Sequence, residues 1–261
     1  MKRKTVITGA GVVSGLGIGI EQLWNGLCEG RSAIRPVESF DASAFDAQIA
    51  AEVPDFKIRD FVPKKARKST KVMCRDIELA VAAADLAARD AKLNTPGIDP
   101  DSPRSYPGER TGCHIGAGLI TADLLELTSA LFNSADEQTR RFDIHHWGRE
   151  GMKNLTPLWL LKYLPNMLAC HVTIIHDLQG PSNTLTCCEA SGGLSVAESM
   201  RVIERGAAEA CFCGGAENKM HPMTFYRQID AGRITTDSND RPEQAVRPFD
   251  RKASGSVAGE G

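Results

Sequence analysis

Apolar residues along the chain recur with two periods, and the switches between them lay out alternating strands and helices. Residues 4 to 8, KTVIT, read as a first strand, followed by the glycine-rich turn GAGVVSGLG and a helix from about Ile20 to Leu27 that Gly30 ends. From Met73 to Leu93 apolar residues return every three or four positions, the spacing of an amphipathic helix. RTGCHIGAG predicts a buried strand entering a second glycine turn, and TADLLELTSALF predicts a helix. A wetter, less regular region runs from residue 133 to 156. The apolar segment 157 to 169, PLWLLKYLPNMLA, reads as a helix that stops and restarts at Pro165, which cannot donate to the turn before it.

The second half repeats the alternation. HVTIIHDLQGPSN and NTLTCC supply a turn and a strand, and a helix is predicted from Ala190 to about Arg205. On it Leu194, Ala197, Met200 and Ile203 share one face, the face expected to be buried, and Gly206 supplies the stop. EACFCGGAE predicts a short central strand, on which Cys211 and Cys213 point the same way and are expected in the core. Strand and helix in alternation imply a mostly parallel, layered α/β fold. With no internal repeat, low-complexity tract or linker, residues 1–261 read as one unit.

Composition narrows the chemistry. A content of 42% hydrophobic and 25% charged residues is that of a globular chain. The net charge of -2 provides no bulk field for nucleic acid, so any basic contact must be a local patch. No apolar run approaches the roughly 18 residues a membrane span needs. The opening MKRKTVITGAGVVSGLGIGI has the charge order of a signal peptide but is Gly-rich and shows no A-x-A-like cleavage site. The eight cysteines include no C-x-x-C spacing, so neither a zinc site nor a disulfide framework is expected, and a reducing cytoplasm fits best. His145 and His146 lack ligands at metal spacing and read as surface or core residues. The amino-terminal glycines fit a dinucleotide fingerprint only loosely, because no acid ends a second strand about 20 residues on. No metal and no cofactor is expected.

The densest chemistry is TCCEASGG, residues 186 to 193, where a strand turns into a helix. A nucleophile in the first turn of a helix gains from the partial positive charge of free N–H groups, which favours a thiolate, and small neighbours let substrate reach the backbone. Here Glu189 precedes Ala190-Ser191-Gly192, and the thiols of Cys187 and Cys188 lie one and two places upstream.

GPSNTLTCCEASGG, ERGAAEACFCGGAE and VRPFDRKASGSVAGEG together resemble the β-ketoacyl-acyl carrier protein synthases, condensing enzymes of the thiolase fold. The resemblance extends to VITGAGVVSGLG, WNGLCEGRSAIRPVESFD and YLPNMLA, and so covers essentially the whole chain. It implies a thiolase-like layered α/β fold of which this chain is the N-terminal half, a β-ketoacyl synthase N-terminal domain. In that family the junction reads N-T-x-x-T-A-C-A-S-G. Counted from Asn183, the nucleophile position holds Glu189, with Ser191 in its expected place. Cys188 falls on the family's alanine and Cys187 on its threonine, and a one-residue step at a strand end swings a side chain to the other face.

The resemblance therefore implies a protein of fatty acid or polyketide assembly, expected to be a noncatalytic, chain-length-factor-like subunit. Its partners would be an acyl carrier protein and a second subunit, as a homodimer or as a heterodimer with a cysteine-bearing ketosynthase. Two alternatives stay open: an acyltransferase that uses Cys188, and a malonyl decarboxylase that uses Glu189. An acid at position 189 has a bland reading too, complementing the helix dipole for about 0.3 to 1 kcal/mol.

Gly116-Ala117-Gly118-Leu119 resembles the strand-end glycines beside the family's acyl pocket, with Ile120 and Thr121 where further glycines are expected. Two readings of Leu119 and Ile120 stand side by side: residues narrowing an acyl tunnel, or residues opening the next helix. Lys64, Lys65, Arg67, Lys68 and Lys71 in PKKARKSTK match the segment through which family members meet their acidic carrier, and Arg233 matches another basic position of that rim. The catalytic histidines and lysine that the resemblance implies belong to the other half of the fold; none of the six histidines here stands in their context.

Overall fold

The computed structural model describes residues 3–136 and 138–261. A hairpin of β1 (Val13–Ser14) and β2 (Gly17–Ile18) leads into α1 (Ile20–Cys28). β3 (Arg35–Pro36) and β4 (Ile49–Ala51) follow, and then α2 (Arg75–Asp90). The central strand β5 (Thr111–Gly116) precedes α3 (Leu124–Phe132), α4 (Ile144–Arg149) and α5 (Met167–His176). The remaining elements are β6 (Ser182–Leu185), α6 (Ser191–Glu204), β7 (Ala210–Gly215), α7 (Pro222–Asp230) and β8 (Ala258–Gly259).

The principal sheet is parallel, in the order β6-β5-β7, and is sandwiched between helices, the layered α/β arrangement expected. The period of two divides its faces. Cys113 and Ile115 of β5 and Phe212 of β7 point into the main core, against Ile77, Leu79 and Val81 of α2 and Leu168 and Val172 of α5. Gly112, His114 and Gly116 point the other way, toward α6. A second small sheet, β3-β4-β8, pairs Ala50 with Ala258 and so ties the two ends of the chain together. Under it Phe225 of α7 is fully buried and meets the edges of Phe40 and Phe45, with ring centroids 5.5 and 5.8 Å away.

Four sequence expectations change, the first being that HVTIIH, expected in a turn, forms the second half of α5, where His171, Val172, Ile175 and His176 are buried. Residues 4–8 are not a strand: the segment is irregular, with Val6 74% and Ile7 83% exposed. The glycine turn after it serves packing, since a Cβ on Gly9 would lie 2.4 Å from Ala91 N and one on Gly11 2.0 Å from Ala83 O, both at α2. On α6 the buried stripe is Ser191, Ser195, Ser199 and Val202, while Leu194 and Met200 of the apolar stripe are exposed. The cause is the sheet beneath. A Cβ on Gly116 would lie 2.4 Å from the Ser191 carbonyl carbon, so the helix backbone sits down on strand glycines and only small side chains fit between. Finally, Cys211 is half-buried and Cys213 exposed, because the strand face they share is this close α6 face and not the main core.

Candidate functional site

Gly116 of β5 pairs with Leu185 of β6 and with Gly215 of β7, so the three parallel strands end level with one another. Ligand sites of open parallel sheets lie outside such carboxyl ends. Three segments leave this rim: Ala117 to Thr121 after β5, Thr186 to Ala190 before α6, and Ala216 and Glu217 after β7.

The turn from β6 into α6 is tight. Cys188 takes a left-handed φ of 51°, a strained choice for a residue with a side chain. The Ala190 N–H donates to the Cys187 carbonyl at 3.2 Å and the Ser191 N–H to the Cys188 carbonyl at 3.1 Å. Ser191 Oγ closes the turn, accepting the Cys187 N–H at 2.8 Å and donating to the Cys188 carbonyl at 2.6 Å. One turn on, Ser195 Oγ donates to the Gly192 carbonyl at 2.6 Å and accepts the Gly214 N–H at 3.0 Å, fastening the helix start to β7. His114 Nδ1 meets Ser199 Oγ at 3.0 Å, and burial pushes its pKa below the ordinary histidine value. This serine ladder was missed in the sequence, although its spacing of four is visible in SGGLSVAES.

Glu189 stands at the mouth of this turn, exposed, and its carboxyl group makes no hydrogen bond or ion pair among the described residues. It does not cap α6 by a hydrogen bond: the N-cap residue is Ala190, and no side chain fills that role. Cys187 and Cys188 are free exposed thiols beside it. Leu119 is 71% exposed, whereas Ile120 is built into the main core. The bulk at residue 120 thus fills the protein interior, and helix α3 opens only at Leu124, with the Asp123 carboxylate accepting the Leu125 and Glu126 N–H groups. Thr121 Oγ1 meets Thr224 Oγ1 of α7 at 2.5 Å, joining the rim to the second core.

Elsewhere, His145 and His146 are exposed on α4, as expected. His171 and His176 are buried on α5, and the His221 ring accepts the Met223 N–H at the start of α7. Among the described residues no group of three or more His, Cys, Asp and Glu side chains is arranged to hold a metal. None of the described helices is long and apolar enough to cross a membrane. Lys64, Lys65, Arg67, Lys68 and Lys71 are all exposed, on two successive 3-10 turns at Lys64–Ala66 and Ser69–Val72 and the residues joining them. Arg233 is exposed in the turn after α7.

A parallel sheet with its central helix seated on strand glycines, and a tight turn carrying two thiols and a carboxyl at the helix start, is a layered α/β arrangement with its polar chemistry at the carboxyl ends of the strands. The family model described as "Beta-ketoacyl synthase, N-terminal domain" matches residues 2–261, and the chain belongs to the β-ketoacyl synthase family. It is 32% identical over 261 residues to a 3-oxoacyl-[acyl-carrier-protein] synthase 2 of Synechocystis sp., covering 100% of this chain and 56% of that protein. Among solved structures it is similar to a beta-ketoacyl synthase from Burkholderia phymatum, with a TM-score of 0.77 and 26% identity over 100% of this chain and 57% of that one. It is also similar to the ishigamide ketosynthase/chain length factor, with a TM-score of 0.74 and 28% identity over 100% of this chain and 57% of that one. The chain thus spans about half the length of the relatives it matches.

Proposed function

We propose that this chain is the N-terminal half of a chain-length-factor-like subunit of fatty acid or polyketide assembly, acting on acyl chains held by a carrier protein. The observation that carries the reading is Glu189: a carboxylate with no partner occupies the position where the family's nucleophile belongs, at the mouth of α6. A carboxylate that attacked an acyl thioester would give a mixed anhydride, open to hydrolysis before a second substrate arrived. An anion there also repels a malonyl carboxylate, which disfavours decarboxylation.

Three further features support the reading. The five cations at residues 64–71 are free of ion pairs among the described residues and offer an acidic carrier a salt-sensitive landing surface, with Arg233 as a further contact. β6 is an edge strand of the main sheet with Ser182 and Asn183 exposed, a pairing edge for a homologous or cysteine-bearing partner subunit. Val196 and Met200, exposed and one turn apart on α6, form an apolar patch that the remainder of a longer fold would cover.

Cys188 keeps a second reading alive, because its thiol is exposed one residue from Glu189 on a strained turn. Incubation with labelled malonyl carrier protein separates the readings: the proposal expects neither carbon dioxide release nor a covalent adduct. Carbon dioxide release would establish a decarboxylase, and an acyl group on Cys188 an acyltransferase.

A further inference from the structure

The turn before α6 carries two thiols on consecutive residues, and the chemistry of that pair does not depend on what Glu189 does. We propose that Cys187 and Cys188 form a peroxide-sensitive vicinal dithiol, which closes to a disulfide between adjacent residues and reopens with a thiol reductant. Both thiols are free and exposed. In an extended strand consecutive side chains point to opposite faces, which would hold the sulfurs apart. The left-handed φ of 51° at Cys188 breaks that alternation at the one peptide where it matters.

The other cysteines are poor competitors. Burial pushes Cys74 and Cys113 up to about 12, where the reactive thiolate is scarce, and it raises Cys211 as well. Cys28 and Cys213 are exposed but have no cysteine next to them in sequence. The adjacent pair alone combines access with a resolving thiol one residue away, the arrangement of a redox-sensing cysteine.

The chemistry balances with hydrogen peroxide as the oxidant. One thiolate attacks a peroxide oxygen, the O–O bond breaks, and the sulfur becomes a sulfenic acid as hydroxide leaves and takes up the proton to become water. The second thiol then attacks that sulfur, the S–O bond breaks, and a second water leaves; two sulfurs are oxidised and one peroxide is reduced. Consecutive Cα atoms lie about 3.8 Å apart across a trans peptide, short of the roughly 4.4 to 6.8 Å usual for a disulfide. The ring is therefore strained, and strained, exposed disulfides are the readily reduced ones. Twisting the peptide between the two cysteines also disturbs the Cys187 N–H and the Cys188 carbonyl, the two groups that Ser191 Oγ bridges. Oxidation thus loosens the start of α6.

The test is limited peroxide treatment of the 261-residue chain, alkylation of remaining thiols, and nonreducing tryptic mapping. The peptide 163–201 holds Cys170, Cys187 and Cys188. The expected product has lost two hydrogens, keeps one alkylatable thiol at Cys170, yields no backbone fragment between residues 187 and 188, and reverts with dithiothreitol. Cys187→Ser and Cys188→Ser should each abolish it. A bond from Cys170, a sulfinic acid on one cysteine alone, a link between two chains, or oxidation at Cys28 or Cys213 with this pair untouched would overturn the proposal.

Discussion

Arg75 grips Glu260 with two charge-assisted hydrogen bonds, Nε and Nη2 each 2.7 Å from a carboxylate oxygen, across 185 positions of sequence. The same carboxylate accepts the Val53 N–H at 2.9 Å, and the neighbouring Asp76 accepts the Asn218 N–H at 2.9 Å, so the first turn of α2 anchors the small sheet to the main layers. The Glu260 side chain is only 6% exposed, and removing one partner of such a pair strands the other. Glu260→Gln is expected to cost about 3 kcal/mol in urea unfolding. Loss of the exposed Arg31–Glu29 pair should cost less than about 1 kcal/mol.

Gly116→Ala tests the seat of α6. The added methyl would lie 2.4 Å from the Ser191 carbonyl carbon and 2.5 Å from Gly192 N, backbone that no rotamer change can move. The expected loss is about 2 kcal/mol or more, read as a lowered denaturant midpoint. Gly148→Ala, on α4 with nothing near the new carbon, should leave the midpoint within about 0.5 kcal/mol.

That glycine also marks how far the sequence could be read. Helix α2, with a wide apolar stripe, was legible because periodicity reports burial directly, whereas the second half of α5, HVTIIH, was read as a turn because it follows the break at Pro165 and runs straight into the turn residues DLQGPSN. For α6 the same rule chose the wrong face, since the sheet below it presents Gly116 and Gly215 and accepts serines instead of leucines. The run at 4–8 looked like a strand by composition, yet without a paired neighbour the same residues stay irregular. α7 and the β3-β4-β8 sheet escaped notice because their contacts, such as Phe225 against Phe40 and Phe45, join segments far apart in sequence. At the site, motif register placed Glu189 and the cysteines, while the Ser191 bridge and the bend at Cys188 needed coordinates.

His176 gives the fold an acid limit. Its ring is buried against Phe212, with Nδ1 2.7 Å from Thr95 Oγ1, and burial, aided by the Arg89 charge, pushes its pKa from 6.5 to about 4. A base whose folded pKa lies below its unfolded one contributes stability that is present above about 6.5 and lost as pH falls toward about 4, roughly 3 kcal/mol in all. Asp76 opposes it: burial raises its carboxyl to about 6, so its contribution is largest at low pH and fades as pH rises through that value. Comparison with His176→Asn isolates the histidine part. The variant's stability should fall less steeply between pH 6.5 and 4, and parallel curves would refute the assignment.

The basic turn offers a kinetic prediction. Replacing Lys64, Lys65 and Lys68 with glutamate should weaken acyl carrier protein binding by about tenfold or more at low salt, with the gap closing as salt screens the surface charges. Surface plasmon resonance at several ionic strengths reads both effects, and an unchanged affinity at low salt would remove this segment from the docking surface.

On the proposed reading a carboxylate, not a sulfur, meets the acyl group at the head of α6. The most direct measurement is intact-mass and peptide analysis of the native chain and Glu189→Cys after exposure to acyl carrier protein bearing a labelled acyl thioester. The native chain should stay unlabelled, and the variant should gain one acyl group at position 189. An acyl group on Cys188 of the native chain would contradict that reading.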